Sequence, residues 1–333
     1  MSGAQIMNKI EYKNPYTVKK NTLIWLYCFF ENKRFSKPLH YLHYGLSLVF
    51  KRIAFELVKR KAILPTTGAY DGRTFTIRST NSQFHSIYFP YYAQCYEPDV
   101  FAAIDCFLPD RGVFIDIGSN WGHHTFIAAL EKNATVFSFE PNPEVFGDLV
   151  SIAKGLNCQD QIHASNVGVG ATATSFNLVQ TQFESGVASV SSAFLNGPLL
   201  KTRWPQRLLD KVTFNTPISR PVDVVPLDSV IPKDLHVNLI KVDAEGAEMD
   251  CLIGMKSILQ RSDAKVLFEL HTDEAGDFSE FRSFFADMGY MVYEITTNLK
   301  DQSCSFRRAE RLKPCSQYNL IASKTELEPY WFI

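Results

Sequence analysis

The sequence predicts an α/β fold built on a doubly wound, mostly parallel seven-stranded sheet, preceded by an N-terminal helical extension. Three observations predict it. From Val113 onward, short apolar runs alternate with segments of helical period, the pattern of βα units around a parallel sheet. The first run ends in a glycine-punctuated turn, Asp116-Ile117-Gly118-Ser119-Asn120-Trp121-Gly122, that opens a helical segment. Acidic residues stand at the ends of three later runs, at Glu140, Asp243 and Glu269, where open α/β sheets bind ligands.

The elements follow in order. Residues 1–64 are a basic, aromatic extension with helical period from Pro38. Leu39, Leu42, Leu46, Val49, Phe50, Ile53 and Leu57 recur at helical spacing beside Lys51, Arg52, Lys59, Arg60 and Lys61. Residues 39–64 thus read as an amphipathic helix that either docks on its own domain or lies on an anionic membrane surface. Residues 65–333 read as one domain. Its lead-in, 65–112, opens on turn signals at Pro65, Gly68 and Asp71-Gly72, then continues as an exposed strand over 73–78 and a helix over 98–108.

The core sheet spans 113–323. Strands are expected over 113–115, 135–139, 161–165, 239–242, 266–270, 290–295 and 318–322, with helices over 121–130, 143–154, 248–259 and 278–288. The stretch 171–234 is too long for a simple connection. Its centre, 181–210, is rich in Ser, Gly and Pro, has little period, and carries Phe183, Phe194 and Trp204. It reads as a substrate cap.

Composition narrows the function. A chain of 333 residues, 46% apolar and 21% charged, buries a full core, and a net charge of −1 gives no global attraction to nucleic acid. Seven cysteines (Cys28, Cys95, Cys106, Cys158, Cys251, Cys304, Cys315) form no CxxC pair, so they read as reduced thiols of a cytoplasmic protein, without a zinc site. The longest apolar run, 23–30, falls far short of the ~20 residues of a membrane span, and no secretory signal is visible. Contact with the inner membrane face through 39–64 stays open.

The chemistry sits at the strand ends. The spacing Asp-x-Gly-x-Asn-x-Gly brings Asp116, Gly118, Ser119, Asn120 and Gly122 together at a sharp turn before a helix N-terminus. An acid stands where a dinucleotide site would hold a pyrophosphate, so the loop suits a cationic ligand carrying a free ammonium. Glu140, roughly twenty residues past the glycine loop, stands where a ribose-binding carboxylate sits, with Pro141 and Asn142 beside it. Asn166, at the end of the third strand, either touches the base of such a ligand or is an ordinary turn residue. Lys241, Asp243, Glu245 and Glu248 crowd the end of a central strand, either as a site or as an ion-pair network, with Glu248 also readable as charge at a helix start. Glu269 and His271 end the fifth strand; His271 is either functional or structural.

Together, Ile115–Gly122, Phe139-Glu140-Pro141-Asn142, Pro226-Leu227-Asp228, Ile240-Lys241-Val242-Asp243-Ala244-Glu245-Gly246-Ala247-Glu248 and Phe268-Glu269 resemble the FkbM family of methyltransferases. The segment from Lys241 to Glu248 is the most specific part of the match. The resemblance implies a class I, Rossmann-like fold, S-adenosyl-L-methionine as methyl donor, and O-methylation of a hydroxyl on a saccharide, glycolipid or secondary metabolite. It implies Asp116, Gly118 and Asn120 beside the cofactor, Glu140 on its ribose, and Asp243 and Glu245 near the reacting centre. Ser119 stands where the family often has Ala, and 181–210 aligns with nothing in it.

For such a reaction Asp243 is the first choice of base, with Glu245, Glu269 or His271 as alternatives, and Lys241 either holds the carboxylates or contacts the acceptor. No metal is required by the spacing. The expected partner is a small-molecule or glycan acceptor and not a nucleic acid, because Asp243-Ala244-Glu245-Gly246 stands where nucleic-acid N-methyltransferases carry a Pro-Pro motif. A nicotinamide-dependent oxidoreductase shares the glycine loop and Glu140 but requires Gly-x-Gly-x-x-Gly. A non-catalytic cofactor-binding or membrane-scaffold protein is the other alternative, and the retention of Asp116, Glu140 and Asp243 speaks against it.

Overall fold

A computed structural model describes residues 10–13, 67–76, 97–181, 184–189, 217–271, 277–298, 303–314 and 317–331. The expected amphipathic helix over 39–64, most of the expected cap over 181–210, and Phe183, Phe194 and Trp204 lie outside the described residues.

Strands β1 (Ile10–Lys13), β2 (Thr67–Tyr70) and β3 (Arg73–Thr76) form a small antiparallel sheet. It is not wholly exposed as expected. Phe75 is buried against the helix over residues 143–156, and Arg73 donates to the Leu156 carbonyl at 2.9 Å. Helix α1 (Pro98–Phe107) follows, with Pro98 in its first turn, where the missing N–H costs nothing.

The central unit then runs β4 (Val113–Ile117), α2 (His123–Glu131), β5 (Thr135–Phe139), α3 (Pro143–Leu156) and β6 (Ile162–Ser165). Asn142 starts α3 by accepting from the Glu144 N–H at 3.1 Å, and Asn157 ends it in the left-handed conformation. Beyond come β11 (Leu239–Val242), α5 (Glu248–Gly254), α6 (Lys256–Arg261), β12 (Lys265–His271), α7 (Ser279–Ala286), β13 (Met291–Asn298), β14 (Ser303–Arg308), β15 (Gln317–Ser323) and β16 (Tyr330–Trp331).

The sheet order is β16-β14-β13-β15-β12-β11-β4-β5-β6. The seven expected strands are all present, in the order third-second-first-fourth-fifth-seventh-sixth. The first five are parallel, and β15 lies antiparallel between β12 and β13. This is the class I methyltransferase arrangement. Two further strands, β14 and β16, widen the sheet to nine, because Ser303–Arg308 pairs with β13 as an antiparallel hairpin.

Two other expectations change. The described residues between β6 and β11 carry strands: β7 (Gly168–Val169), β8 (Thr174–Thr181), β9 (Glu184–Ser189) and β10 (Pro217–Val225) make a four-stranded sheet. It is followed by the short helix α4 (Leu227–Val230). The single helix expected over 248–259 is two, because the Asp228 carboxylate takes the Ser257 and Ile258 N–H groups at 2.8 and 2.9 Å and restarts the helix.

Strand alternation sends Phe114, Val136, Leu239, Leu267 and Ile321 into the core under α1, α2 and α3. The opposite set, Ile115, Ile240, Val242, Val266 and Phe268, packs with Leu252, Ile258 and Phe285 on the other face. By the same alternation Asp116 and Lys241 point to the α1–α2 face. No helix among the described residues is long and apolar enough to cross a membrane.

Candidate active site

The glycine loop hangs from the end of β5. Gly118 and Ser119 both donate backbone N–H groups to the Phe139 carbonyl, at 3.0 and 3.1 Å. Gly118 (φ +71), Asn120 (φ +54) and Gly122 (φ +96) all take positive φ, so the loop coils tightly before α2. The space left by the missing Cβ of Gly118 is filled by the protein itself. A Cβ there would lie 1.8 Å from the Asp243 carbonyl oxygen, so the loop after β4 and the loop after β11 touch backbone to backbone.

Glu140 is clamped between loop and helix. Its Oε2 accepts from the Asn120 N–H at 2.9 Å and its Oε1 from the Asn142 N–H at 2.7 Å. Burial pushes its carboxyl up to about 7, against the pull of those two N–H groups. Asn166 donates its amide to the Glu140 and Pro141 carbonyls at 2.7 and 3.1 Å, which commits its nitrogen to holding this corner. The structure thus brings Gly118, Ser119, Asn120, Gly122, Glu140, Pro141, Asn142 and Asn166 into one corner, at the ends of β4, β5 and β6.

Asp116 lies beneath the loop, 1% exposed. Its Oδ2 accepts from the Thr125 hydroxyl at 2.6 Å. Its Oδ1 accepts no hydrogen bond from any described residue, and the Lys241 ammonium stands 3.9 Å away.

From Lys241 a chain of charges runs along the ends of β11 and β12. Lys241 donates to Asp243 Oδ2 at 2.9 Å. Burial opposes the lysine's charge, but Asp243, Asp116 and Glu97 together hold its pKa above the ordinary value. Burial alone would raise the Asp243 carboxyl; the Lys241 ammonium and a hydrogen bond from Glu269 hold it below the usual range. Glu269 is raised by burial and by Asp243. It also meets His271 Nε2 at 3.1 Å and accepts from Gln317. The hydrogen bond to Glu269 raises His271.

Glu245 stands beside this chain in a left-handed conformation (φ +49). Burial and the neighbouring carboxylates of Asp243 and Glu269 push it up to about 8. Glu248 has a different task. Its Oε1 accepts from the Ala244 and Gly246 N–H groups at 3.1 and 3.0 Å, stapling the loop that carries Asp243 and Glu245. Among the described residues, no three His, Cys, Asp or Glu side chains converge as a metal site would need.

Sequence reasoning missed three residues here. His123 and His124, in the first turn of α2, are buried beneath the loop. Burial and the Lys241 charge lower both, His123 to about 3, so both are neutral at pH 7. Glu97, at the start of α1, brings Oε2 to 3.5 Å from His124 Nε2. The signals were a His-His pair directly after the last loop glycine and an acid directly before the helix-opening Pro98.

Residues 105–292, more than half of the chain, match the methyltransferase FkbM domain model. The chain belongs to the FkbM methyltransferase family. A relative named Methyltransferase 1, from Beauveria bassiana (strain ARSEF 2860), is 28% identical over 196 residues, covering 55% of this chain and 74% of that protein. Among solved structures, precorrin-6y C5,15-methyltransferase from Geobacter metallireducens covers 68% of this chain and 86% of its own, at 14% identity and a TM-score of 0.36. TYW2 from P. horikoshii, in complex with MeSAdo, covers 83% of each chain at 12% identity and a TM-score of 0.39. At these scores the likeness adds nothing to the strand order already described.

FkbM methyltransferases use S-adenosylmethionine, and the residues here fit it. The group is cationic at its sulfonium and its ammonium. The corner offers the buried Asp116 Oδ1, which no described donor satisfies, and the Glu140 carboxylate, which retains lone pairs for two ribose hydroxyls.

Proposed function

We propose that this methyltransferase transfers the methyl group to a hydroxyl oxygen of a saccharide, glycolipid or secondary metabolite. The observation that supports this reading is the row of carboxylates at the ends of β11 and β12, which abuts the cofactor loop through the Gly118–Asp243 contact. Bound S-adenosylmethionine supplies an already activated methyl group. The protein's task is to align an acceptor oxygen with it and to take the acceptor's proton.

The electrostatics divide that task. Asp243, kept ionised by Lys241, accepts a hydrogen bond from a neighbouring hydroxyl of the acceptor and so orients the reacting one toward Glu245. Glu245, raised to about 8, has the proton affinity near working pH that a general base needs. As the oxygen–methyl bond forms and the methyl–sulfur bond breaks, the hydroxyl proton passes to the Glu245 carboxylate. Asp243, the first choice from sequence alone, is thereby the orienting group. A net charge of −1 supports a glycan or small-molecule acceptor over a nucleic acid.

The test is incubation of the full chain with labelled S-adenosylmethionine and extracts rich in glycans, glycolipids and metabolites. A label that survives alkali and is released as methyl iodide by hydriodic acid marks an ether and supports the reading, and Glu245→Gln should slow its formation by about 10²–10⁴-fold while cofactor binding persists. An alkali-labile label marks an ester; that result, or cofactor binding with no turnover on any extract, would overturn the hydroxyl assignment.

A further inference from the structure

Building on the assignment of Glu245 as base, we infer that His271 is a positioning residue of the acceptor site: it holds Glu269 at the open end of the carboxylate row and, as a cation there, sets how readily Glu245 takes a proton. Strand register builds the row. β11 and β12 run parallel with Val242 opposite Phe268, so Asp243 and Glu269, one step further on, stand side by side on the face that carries Lys241. On the far side of β12, β15 sets Asn319 opposite Glu269 and Gln317 opposite His271.

Glu269 Oε1 is the meeting point. It lies 3.1 Å from His271 Nε2 and accepts from the Gln317 amide, so side chains from two neighbouring strands fix one carboxylate oxygen. Asn319 is anchored in turn, donating to Asp99 of α1 at 2.9 Å. The Glu269 carboxyl is therefore placed before an acceptor arrives. The row opens outward here: the Glu269 side chain is 11% exposed and that of His271 55%.

The same contact removes His271 from the choice of bases. Its hydrogen bond to Glu269 raises its pKa and favours the imidazolium, which has no lone pair left to accept a proton. The charged groups that face it are Glu269 on its own strand, Glu245 in the loop after β11 and Glu248 at the start of α5, while β15 presents the uncharged Gln317. Lys241 stands at the buried end of the row, beside Asp243. The imidazolium lowers Glu245, against the burial and the Asp243 and Glu269 charges that push it up to about 8. Without that cation Glu245 would keep its proton to higher pH, and less of the protein would carry an ionised base at pH 7.

Two measurements on the full chain test the assignment. The first needs no acceptor. With histidines labelled at Cε1, NMR follows each imidazole through its titration, and the signal lost in His271→Gln identifies His271. It should titrate above 6.5, and Glu269→Gln should bring it down. The second is the pH profile of methyl-ether formation from labelled S-adenosylmethionine in a glycan-rich extract, which should rise as Glu245 ionises. His271→Gln keeps a donor but no charge; it should move that rise to higher pH and slow turnover at pH 7 about three- to tenfold. His271→Arg keeps both and should return the rise toward its wild-type position. A His271 that titrates at or below 6.5, or a rise that His271→Gln leaves in place, overturns the inference. If Glu245→Gln leaves the rate unslowed, or the wild-type chain binds S-adenosylhomocysteine yet labels no hydroxyl, the proposed function is what fails, and the tuning of its base falls with it.

Discussion

Gly118→Ala tests the backbone contact that joins the loop over 118–122 to the loop after β11. The new Cβ would sit 1.8 Å from the Asp243 carbonyl oxygen, so the two loops must part by about 1.5 Å to reach ordinary contact. That movement breaks the N–H bonds of Gly118 and Ser119 to Phe139, each worth about 1 kcal/mol or more in a buried site. The left-handed φ of +71 adds about 1–2 kcal/mol for a residue with a side chain. The expected cost is about 3–5 kcal/mol of stability, together with loss of measurable S-adenosylhomocysteine binding. Gly147→Ala is the control: Gly147 lies exposed in α3 with nothing within 4 Å of its Cβ position, so alanine should stabilise by about 0.5–1 kcal/mol. Urea denaturation measures both differences, and calorimetry the binding. If Gly118→Ala matched wild type in stability and affinity, the loop–loop contact would carry none of the weight assigned to it.

Four further outcomes are expected. Burial raises Glu140 from 4.5 to about 7, so between those values the folded protein holds a proton that the unfolded chain has released; stability falls as pH rises across that window, and Glu140→Gln removes the slope. On the proposal that Glu140 takes the ribose hydroxyls, which donate to its ionised form, S-adenosylhomocysteine affinity should rise with pH through about 7 in wild type, as titration at several pH values will show. Lys241→Met strips Asp116 and Asp243 of their buried counter-charge and should cost about 3–5 kcal/mol in denaturant unfolding. Asp228→Ala removes the acceptor of two N–H groups at the start of α6 and should cost about 1–2 kcal/mol, with cofactor affinity unchanged.

The sheet was legible because parallel strands buried on both faces must be apolar along their length, and Val113-Phe114-Ile115 or Leu239-Ile240 admits few other readings. What escaped was strand with polar or mixed sequence. Ser303–Arg308 carries two arginines and pairs only near the sheet edge, beyond β13, so no apolar run announces it. Thr174–Thr181 and Pro217–Val225 pair across a long interval, with Phe176 half exposed and, among the side chains described, Leu178, Val222 and Val224 the buried hydrophobics. Local pattern carries little of such a pairing, because its partners are distant in sequence and one face meets water.

The site divides along a similar line. Asp116, Glu140 and Asp243 end apolar strands, and a charge in that position announces itself. The part each plays was less legible, since it depends on neighbours that only the fold supplies. Asp243 is held ionised because Lys241, two residues back on the same face of β11, reaches it at 2.9 Å, while Glu245 is raised by burial and by the carboxylates of Asp243 and Glu269. Glu248, equal to these in sequence, spends its carboxylate on two backbone N–H groups of its own loop. Glu97 and His124 are the extreme case. They lie on different helices, and nothing near either in the chain implies the other. They meet only because α1 and α2 pack side by side on one face of the sheet, over the strand ends that hold Asp116 and Lys241.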